Sequence, residues 1–349
     1  MNQFETEIAV GLIGAGRIGT SHAQILAERV PGARLAMVAD PRPDAGAALA
    51  GRFGARAVTD PHQLIKDPDI VAVVIAASSE AHSGLIIAAA EAGKPIFCEK
   101  PASLTLVDMD AALAAVESAG VTLQVGFNRR FAADFRAAHD AIAAGAIGTP
   151  QLMRSLTRDP GLANPGGVPP WTIFLQTLIH DFDALLWLNP GAEPVELYAT
   201  ADALVAPEFK STGLLDTAVV VITFDNGARA VAEANFSASY GYDVRGEVFG
   251  SAGMVTAGDG ARSSMVLRNA TGLHQDTARG DVELLGEAYV GEFVEFVSAV
   301  RERRDAYVTG RDARRALAVA LACIESVQAS APVVIPAPTA RAASSGAGA

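Results

Sequence analysis

Two residues of this chain have the side-chain chemistry needed to take a proton from an alcohol. Lys100 sits in Glu99-Lys100-Pro101, at the end of the apolar strand pattern PIFCEK. Core packing does not explain a charged pair at that point. An ammonium there could hydrogen-bond a hydroxyl and favour its deprotonation, although an ion pair with Glu99 would explain the lysine as well. Pro101 could fix a turn there, a cis bond being one way. His180 lies in FLQTLIHDFDALLWL. A neutral imidazole, with an ordinary pKa near 6.5, is suited to accepting an alcohol proton around neutral pH. Gln176 and Asp183 lie one turn before and one turn after His180, which puts all three on one face of a helix as a polar stripe. Buried polar groups need partners, so the stripe is either a satisfied core network or the wall of a site.

A second stretch points to a phosphate-bearing ligand. In GLIGAGRIG, Gly11 to Gly19, the glycines Gly14, Gly16 and Gly19 have G-x-G-x-x-G spacing. An apolar run precedes them and a helical pattern follows. The first glycine permits a tight turn, the second a close approach by pyrophosphate, and the third close packing of helix on strand. Unpaired N–H groups at the helix start then face the anion. The loop residues Ala15, Arg17 and Ile18 join the glycines in this cofactor set. A second apolar run, ARLAMVAD, ends in Asp40, about 20 residues beyond the loop, where a carboxylate can accept the adenosine ribose hydroxyls. Asp40 would repel a 2′-phosphate, which favours NAD over NADP, while the nearby Arg42 blurs the choice.

Other candidates have bland readings beside the functional ones. Asn128, Arg129 and Arg130 follow a strand and either touch substrate or form a solvated basic turn. Tyr240 and Tyr242 end a later strand, where aromatic pairs at sheet edges are common. Capping or packing explains His22 and His82 adequately. The sequence carries neither a paired-histidine metal spacing nor a G-x-S-x-G nucleophile elbow, so no metal is expected.

The elements that must position these residues divide the chain. Its 349 residues suggest two domains with ample core. Through the first third, strands and helices alternate: Asp44–Phe53 helical, Arg56–Val58 a strand, and Ile70–Ala77 an apolar run expected of a strand buried on both faces. A helix over Ala81–Ala92, strands ending at Lys100 and Phe127, and a helix capped by Ser103 complete a doubly wound parallel sheet. Its ligand belongs at the strands' carboxyl ends. After a helix over Ala132–Ala144 come the strand QLMRSLTRD and a Gly/Pro-rich loop, and then a helix over Ile173–Leu188. From Val195 the pattern reads as antiparallel strands, with hairpins at Asp225-Asn226-Gly227 and Ser251-Ala252-Gly253. Helices over Gly286–Arg304 and Arg311–Ala329 precede the short strand PVVIP. The last residues, PAPTARAASSGAGA, cannot build a core and are expected to be disordered.

Acidic residues outnumber basic ones 39 to 27, a net charge of −12, which disfavours nucleic acid and anionic membranes as partners. Cys98 and Cys323 sit in apolar contexts and read as buried free thiols. No signal peptide is visible at the acidic N-terminus, and no apolar run approaches the roughly 20 residues of a membrane span. A cytoplasmic protein is expected.

With GLIGAGRIG, CEKP, VGFNRRF and LIHDFD in this order, the chain resembles the Gfo/Idh/MocA oxidoreductases over nearly its whole length. YGYD, and Tyr289 before the late helix, look most like the inositol 2-dehydrogenase branch. The resemblance implies an N-terminal Rossmann domain over 1–127 and a substrate-binding and oligomerisation α/β domain over 128–335, with a largely antiparallel open sheet. Residues 336–349 would form the tail. It further implies NAD-dependent oxidation of a secondary hydroxyl of a cyclitol or sugar to a ketone, in a homodimer or homotetramer formed through the outer face of the second sheet. Lys100 matches the lysine that touches nicotinamide and substrate, and His180 the general base. Asn128, Arg129, Asp183, Tyr242 and Tyr289 fall on polyol-pocket positions. Ala77, Ser78 and Ser79 match the segment running along the cofactor, with His82 and Glu99 added to that side. One position departs from the pattern: Gln176 stands where inositol dehydrogenases usually carry aspartate. An amide can orient an imidazole but cannot stabilise its charged form, so His180 should be a weaker base or be helped by Asp183 or Asp159. The departure motivates one rival, an NAD- and sugar-binding sensor without turnover, and the resemblance admits a second, a relative that uses NAD transiently to cleave glycosides.

Overall fold

The computed structural model describes residues 7–335. The tail expected over 336–349 lies outside the described residues. The N-terminal sheet has six parallel strands: β1 (Ile8–Ile13), β2 (Ala33–Ala39), β3 (Arg56–Val58), β4 (Ala72–Ile75), β5 (Ile96–Cys98) and β6 (Leu123–Val125), in the order β3-β2-β1-β4-β5-β6. The helices α1 (Arg17–Glu28), α2 (Pro43–Arg52), α3 (Pro61–Lys66), α4 (Ser79–Glu91) and α5 (Leu106–Ala119) connect them. Val73, Val74 and Ile75 are fully buried, as their unbroken apolar run requires of a central parallel strand. Each such burial contributes about 1.5–3 kcal/mol. The strand order reverses between β1 and β4, so a crevice opens at their carboxyl ends. The helix expected to be capped by Ser103 is capped instead by Thr105, whose hydroxyl accepts the Asp108 N–H. Ser103 is buried and donates to the Thr105 carbonyl, which leaves its hydroxyl turned away from the helix.

The second half contains α6 (Ala133–Ala143), β7 (Pro150–Arg158), α7 (Ile179–Trp187), β8 (Pro194–Asp202), β9 (Thr217–Phe224), β10 (Arg229–Asn235), β11 (Asp243–Gly250) and β12 (Met254–Ala257). It ends with β13 (Ala261–Asn269), β14 (Gly272–Thr277), α8 (Asp281–Glu302), α9 (Gly310–Ala329) and β15 (Val333–Val334). Seven strands form one sheet, β12-β11-β7-β10-β9-β8-β15, antiparallel except between β7 and β10. Along β9, Ala218, Val220, Ile222 and Phe224 are buried while Val219 and Val221 are exposed. This period of two means that one face packs on helices and the other is open. The hairpin β13–β14 stands apart as a two-stranded sheet, and nothing in the sequence reading anticipated it. The last third of the chain returns to the first domain: the Val125 N–H donates to the carbonyl of Val308, between α8 and α9, at 3.1 Å, and Arg29, just past the end of α1, bonds Glu287 of α8 at 2.9 Å.

One expected helix is wound differently. Ile173–Leu178 is a π-helix and only Ile179–Trp187 is α-helical. The wider winding gives Gln176 and His180 a different angular spacing from that of an α-helix. π-Turns of this kind occur frequently at functional sites.

Candidate active site

The glycine loop joins β1 to α1. Gly14 has φ +108°, and a Cβ there would lie 2.3 Å from the Ala76 carbonyl oxygen. A Cβ on Gly19 would meet the Gly14 carbonyl oxygen at 2.1 Å. These two glycines therefore allow the turn and the close helix packing. A Cβ on Gly16 would meet nothing within 4 Å, so that position faces open space. Gly16 is also the N-cap residue of α1, and no side chain caps the helix. An uncapped helix start beside open space fits the pyrophosphate of a dinucleotide. Past the end of β2, Asp40 accepts the Ala15 N–H at 2.7 Å and the Arg42 N–H at 2.9 Å. The Arg42 guanidinium, bonded to the same carboxylate, is the main reason that Asp40's pKa is held down to about 2. The carboxylate thus stays charged and placed for ribose hydroxyls.

Lys100 and His180 line one cavity of about 460 Å³ between the two halves. Ile18, Ala77, Ser79, His82, Glu99, Asn128, Arg129, Asp159, Gln176, Tyr242 and Tyr289 also line it. Ser78 starts α4 just outside the lining, as its N-cap residue. The Lys100–Pro101 bond is cis. The Lys100 ammonium donates to the Gln176 main-chain oxygen at 3.0 Å, and burial lowers its pKa against the pull of Glu99 and Asp281. The lysine is not paired with Glu99. That carboxylate meets His22 Nε2 at 2.6 Å in a buried contact and accepts only the main-chain N–H of Lys100. The His82 ring nitrogens lie 2.7 Å from the Pro101 oxygen and 3.1 Å from the Ala77 oxygen, and since burial lowers its pKa its single N–H donates to one of these two carbonyls.

The surroundings of His180 differ from the expectation. The Gln176 amide donates to Ser79 Oγ at 3.1 Å and not to the imidazole. His180 Nδ1 is buried with no hydrogen-bond partner among the described residues. Burial first, and then the charges of Lys100 and Arg129, push the imidazole pKa well below its usual value. Asp183 cannot help it. That carboxylate is taken up by Arg130, at 2.9 and 2.6 Å, and lies outside the cavity lining. The supposed basic turn is therefore no solvated face. Arg129 is also buried, its guanidinium bonded to Asp181 at 2.5 Å and to Ser155 at 3.3 Å. These two buried arginines brace the cavity floor against α7. Arg129 still reaches the lining, and so does the buried Asn128, whose Oδ1 has no partner among the described residues.

Asp159 lines the cavity with no hydrogen-bond or ion-pair partner for its carboxylate among the described residues. Burial and the nearby Asp281 raise its pKa to about 6, against Lys100 and Arg129. Burial pushes the Tyr242 and Tyr289 hydroxyls up, so both remain protonated donors. The sequence reading missed Asp281. At the first turn of α8, it takes two hydrogen bonds from Arg17, at 2.8 and 3.0 Å, and a third from Tyr289 at 3.2 Å. Arg17 thereby links the cofactor helix to the cavity wall. The only available signal was a lone aspartate opening a helix after an unpatterned stretch, which is weak.

The residues 8–127 match the model of the oxidoreductase family with the NAD-binding Rossmann fold, and residues 135–256 match the Gfo/Idh/MocA C-terminal domain. The chain belongs to the Gfo/Idh/MocA oxidoreductase family. It is 37% identical over 332 residues to the myo-inositol 2-dehydrogenase of Thermotoga maritima, covering 91% of this chain and 96% of that one. It is 35% identical over 337 residues to the scyllo-inositol 2-dehydrogenase (NAD(+)) of Bacillus subtilis, covering 95% and 97%. A solved structure of scyllo-inositol dehydrogenase from Lactobacillus casei, with NAD(H) and scyllo-inositol bound, superposes with a TM-score of 0.90 at 26% identity, covering 95% of this chain and 99% of that one. This member of the family is an NAD-dependent oxidoreductase acting on CH–OH groups. Among the described residues, no helix is long and apolar enough to cross a membrane.

Proposed function

We propose that the chain oxidises one secondary hydroxyl of an inositol-like cyclitol or a related sugar to the ketone, with His180 as proton acceptor and Lys100 assisting. The observation that carries this reading is that an ammonium and an imidazole from the two halves line the same cavity, beside the glycine loop. Bound NAD supplies the hydride acceptor, held by Gly14, Gly16 and Asp40. The chain's own residues do the rest. Lys100 donates a hydrogen bond to the reacting oxygen and stabilises negative charge as the O–H bond weakens. His180, kept neutral by its surroundings, offers a lone pair to the leaving proton. Asn128, Asp159, Tyr242 and Tyr289 supply both donors and acceptors to the other ring hydroxyls, as a polyol needs. Contacts from both domains would fix the ring, which lowers the entropic part of the barrier.

The open face of the second sheet offers a surface for self-association. The register puts Tyr198, Val219, Val221, Leu152, Phe249 and Met254 on that one exposed side. Arg154, Arg229, Glu233 and Glu247 share that side, so it mixes apolar and charged residues, as the surface of an association between two copies of the chain does.

The test is to incubate purified protein with NAD and a panel of inositols and aldoses and to follow NADH absorbance. Turnover with at least one cyclitol supports the reading. Sugar binding without NADH would favour a sensor instead, which the unpartnered Nδ1 of His180 would fit.

A further inference from the structure

We infer that Gln176 is a positioning residue: it clasps the second domain to the first at the cavity and so fixes where the Lys100 ammonium points. This deepens the proposed dehydrogenase function and rests on it. Gln176 makes two contacts of opposite kind. Its main-chain oxygen accepts a hydrogen bond from Lys100 Nζ at 3.0 Å, and its side-chain amide donates to Ser79 Oγ at 3.1 Å. Lys100 follows β5 and Ser79 opens α4 after β4, so both partners belong to the first domain. Gln176 lies in the π-helical turn of the second, and α7 follows directly, with His180 in its first turn. Lys100, Ser79, Gln176 and His180 all line the one cavity.

The ammonium depends on this contact. The carboxylate next to it in sequence, Glu99, is taken up by His22 at 2.6 Å and by the main-chain N–H of Lys100 at 3.1 Å. Among the described residues, the Gln176 oxygen is the one hydrogen-bond acceptor that Lys100 Nζ has. An ammonium carries three N–H donors in fixed directions, so holding one aims the other two. The accepting oxygen is main chain, so its position is that of its residue, and the Gln176 side chain ties that residue to the start of α4. The loops after β4 and β5 also meet each other, since His82 of α4 lies 2.7 Å from the Pro101 oxygen. Gln176 thus bonds both members of a pair of loops already in contact. The amide suits Ser79 for a second reason. Because the amide N–H donates, the serine oxygen is the acceptor and its own O–H stays available to the cavity. A carboxylate, which only accepts, would take up that O–H.

The test cuts the clasp from both ends. Gln176→Met keeps length and bulk but has no N–H to donate, and Ser79→Ala removes the other end of the same bond. A misplacement of about 1 Å can cost about 100-fold in rate, so each variant should lower kcat for cyclitol oxidation by about 10–100-fold. In Gln176→Met the cyclitol KM and the NADH Kd should stay within about threefold of wild type, because the lost contact acts on the reacting group and not on binding. The double variant should be no slower than the slower single one, since both changes break one bond. Effects that multiply mean that the two side chains act separately, and the inference is wrong. A Gln176→Met rate within about twofold of wild type also refutes it, because bulk alone then holds the turn. Hydrogen exchange read by mass spectrometry gives a check without turnover: the start of α4 and the π-helical turn should exchange faster together in either variant, and unchanged exchange at α4 overturns the clasp. A thermal melt shows whether each variant folds; where Gln176→Met does not, Ser79→Ala decides by the same rate and exchange criteria. No turnover of any polyol by wild type sinks the dehydrogenase reading and the inference with it. Normal wild-type turnover with multiplying effects sinks the inference alone.

Discussion

Replacing Asp40 by alanine should weaken NADH and strengthen NADPH. The carboxylate is 4% exposed, anchored by the Ala15 N–H at 2.7 Å and faced by Arg42 at 3.0 and 3.1 Å. On the proposed reading it would accept ribose hydroxyls of bound NADH, and a hydrogen bond to a charged group contributes about 1.5–3 kcal/mol. At about 1.4 kcal/mol per factor of ten, its loss should raise the NADH Kd about 10–100-fold. For NADPH the sign reverses, because removing the carboxylate ends its repulsion of the 2′-phosphate and frees the Arg42 guanidinium for it. A gain of about tenfold in NADPH affinity is expected. Fluorescence titration with both reduced dinucleotides measures the two constants, and a thermal melt of the variant checks that the loop still folds. If the NADH Kd stays within about twofold, or if both dinucleotides weaken equally, Asp40 only holds the loop and the ribose assignment is wrong.

The glycines of the loop should separate folding from binding. Gly16→Ala, with open space around its Cβ, should keep the wild-type melting temperature yet weaken NADH at least tenfold by fluorescence. Gly19→Ala, with its Cβ 2.1 Å from a carbonyl oxygen, should lose both. Glu99→Leu leaves His22 without its hydrogen-bond partner in a buried contact and should cost about 1–3 kcal/mol in urea unfolding. A loss under about 1 kcal/mol would mean that the pair contributes little. Val221→Glu, in the middle of the open sheet face, should turn the oligomer into a monomer by light scattering with unchanged circular dichroism. A wild-type protein that is already monomeric refutes that surface assignment.

The first domain was legible because its signals are local. An unbroken apolar run marks a strand buried on both sides, and three glycines with an aspartate about 20 residues on mark the cofactor loop. Lys100 and His180 were readable as chemistry without a local packing reason. What escaped was tertiary. Arg129 and Arg130 look like a solvated turn until Asp181 and Asp183, 52 and 53 residues away, are seen to neutralise them. Of the stripe Gln176, His180 and Asp183, the first two line the cavity and Asp183 does not, because Arg130, distant in sequence, holds it. The β13–β14 hairpin buries little on either face, so its sequence carries no alternation to read. Asp281 shows its place in the cavity wall only once Arg17, 264 residues away, is seen to bind it.

The central claim is that Lys100 and His180 act together on one cyclitol hydroxyl beside bound NAD. The most direct measurement is the rate of NADH formation from NAD and myo- or scyllo-inositol by wild type, Lys100→Met and His180→Ala, with the NADH affinity of each measured in parallel. The account predicts wild-type turnover with at least one of these substrates and a fall of about 10²–10⁴ in kcat for each variant, with NADH binding changed only a few-fold. No turnover by wild type, or a variant within about threefold of its rate, would contradict it.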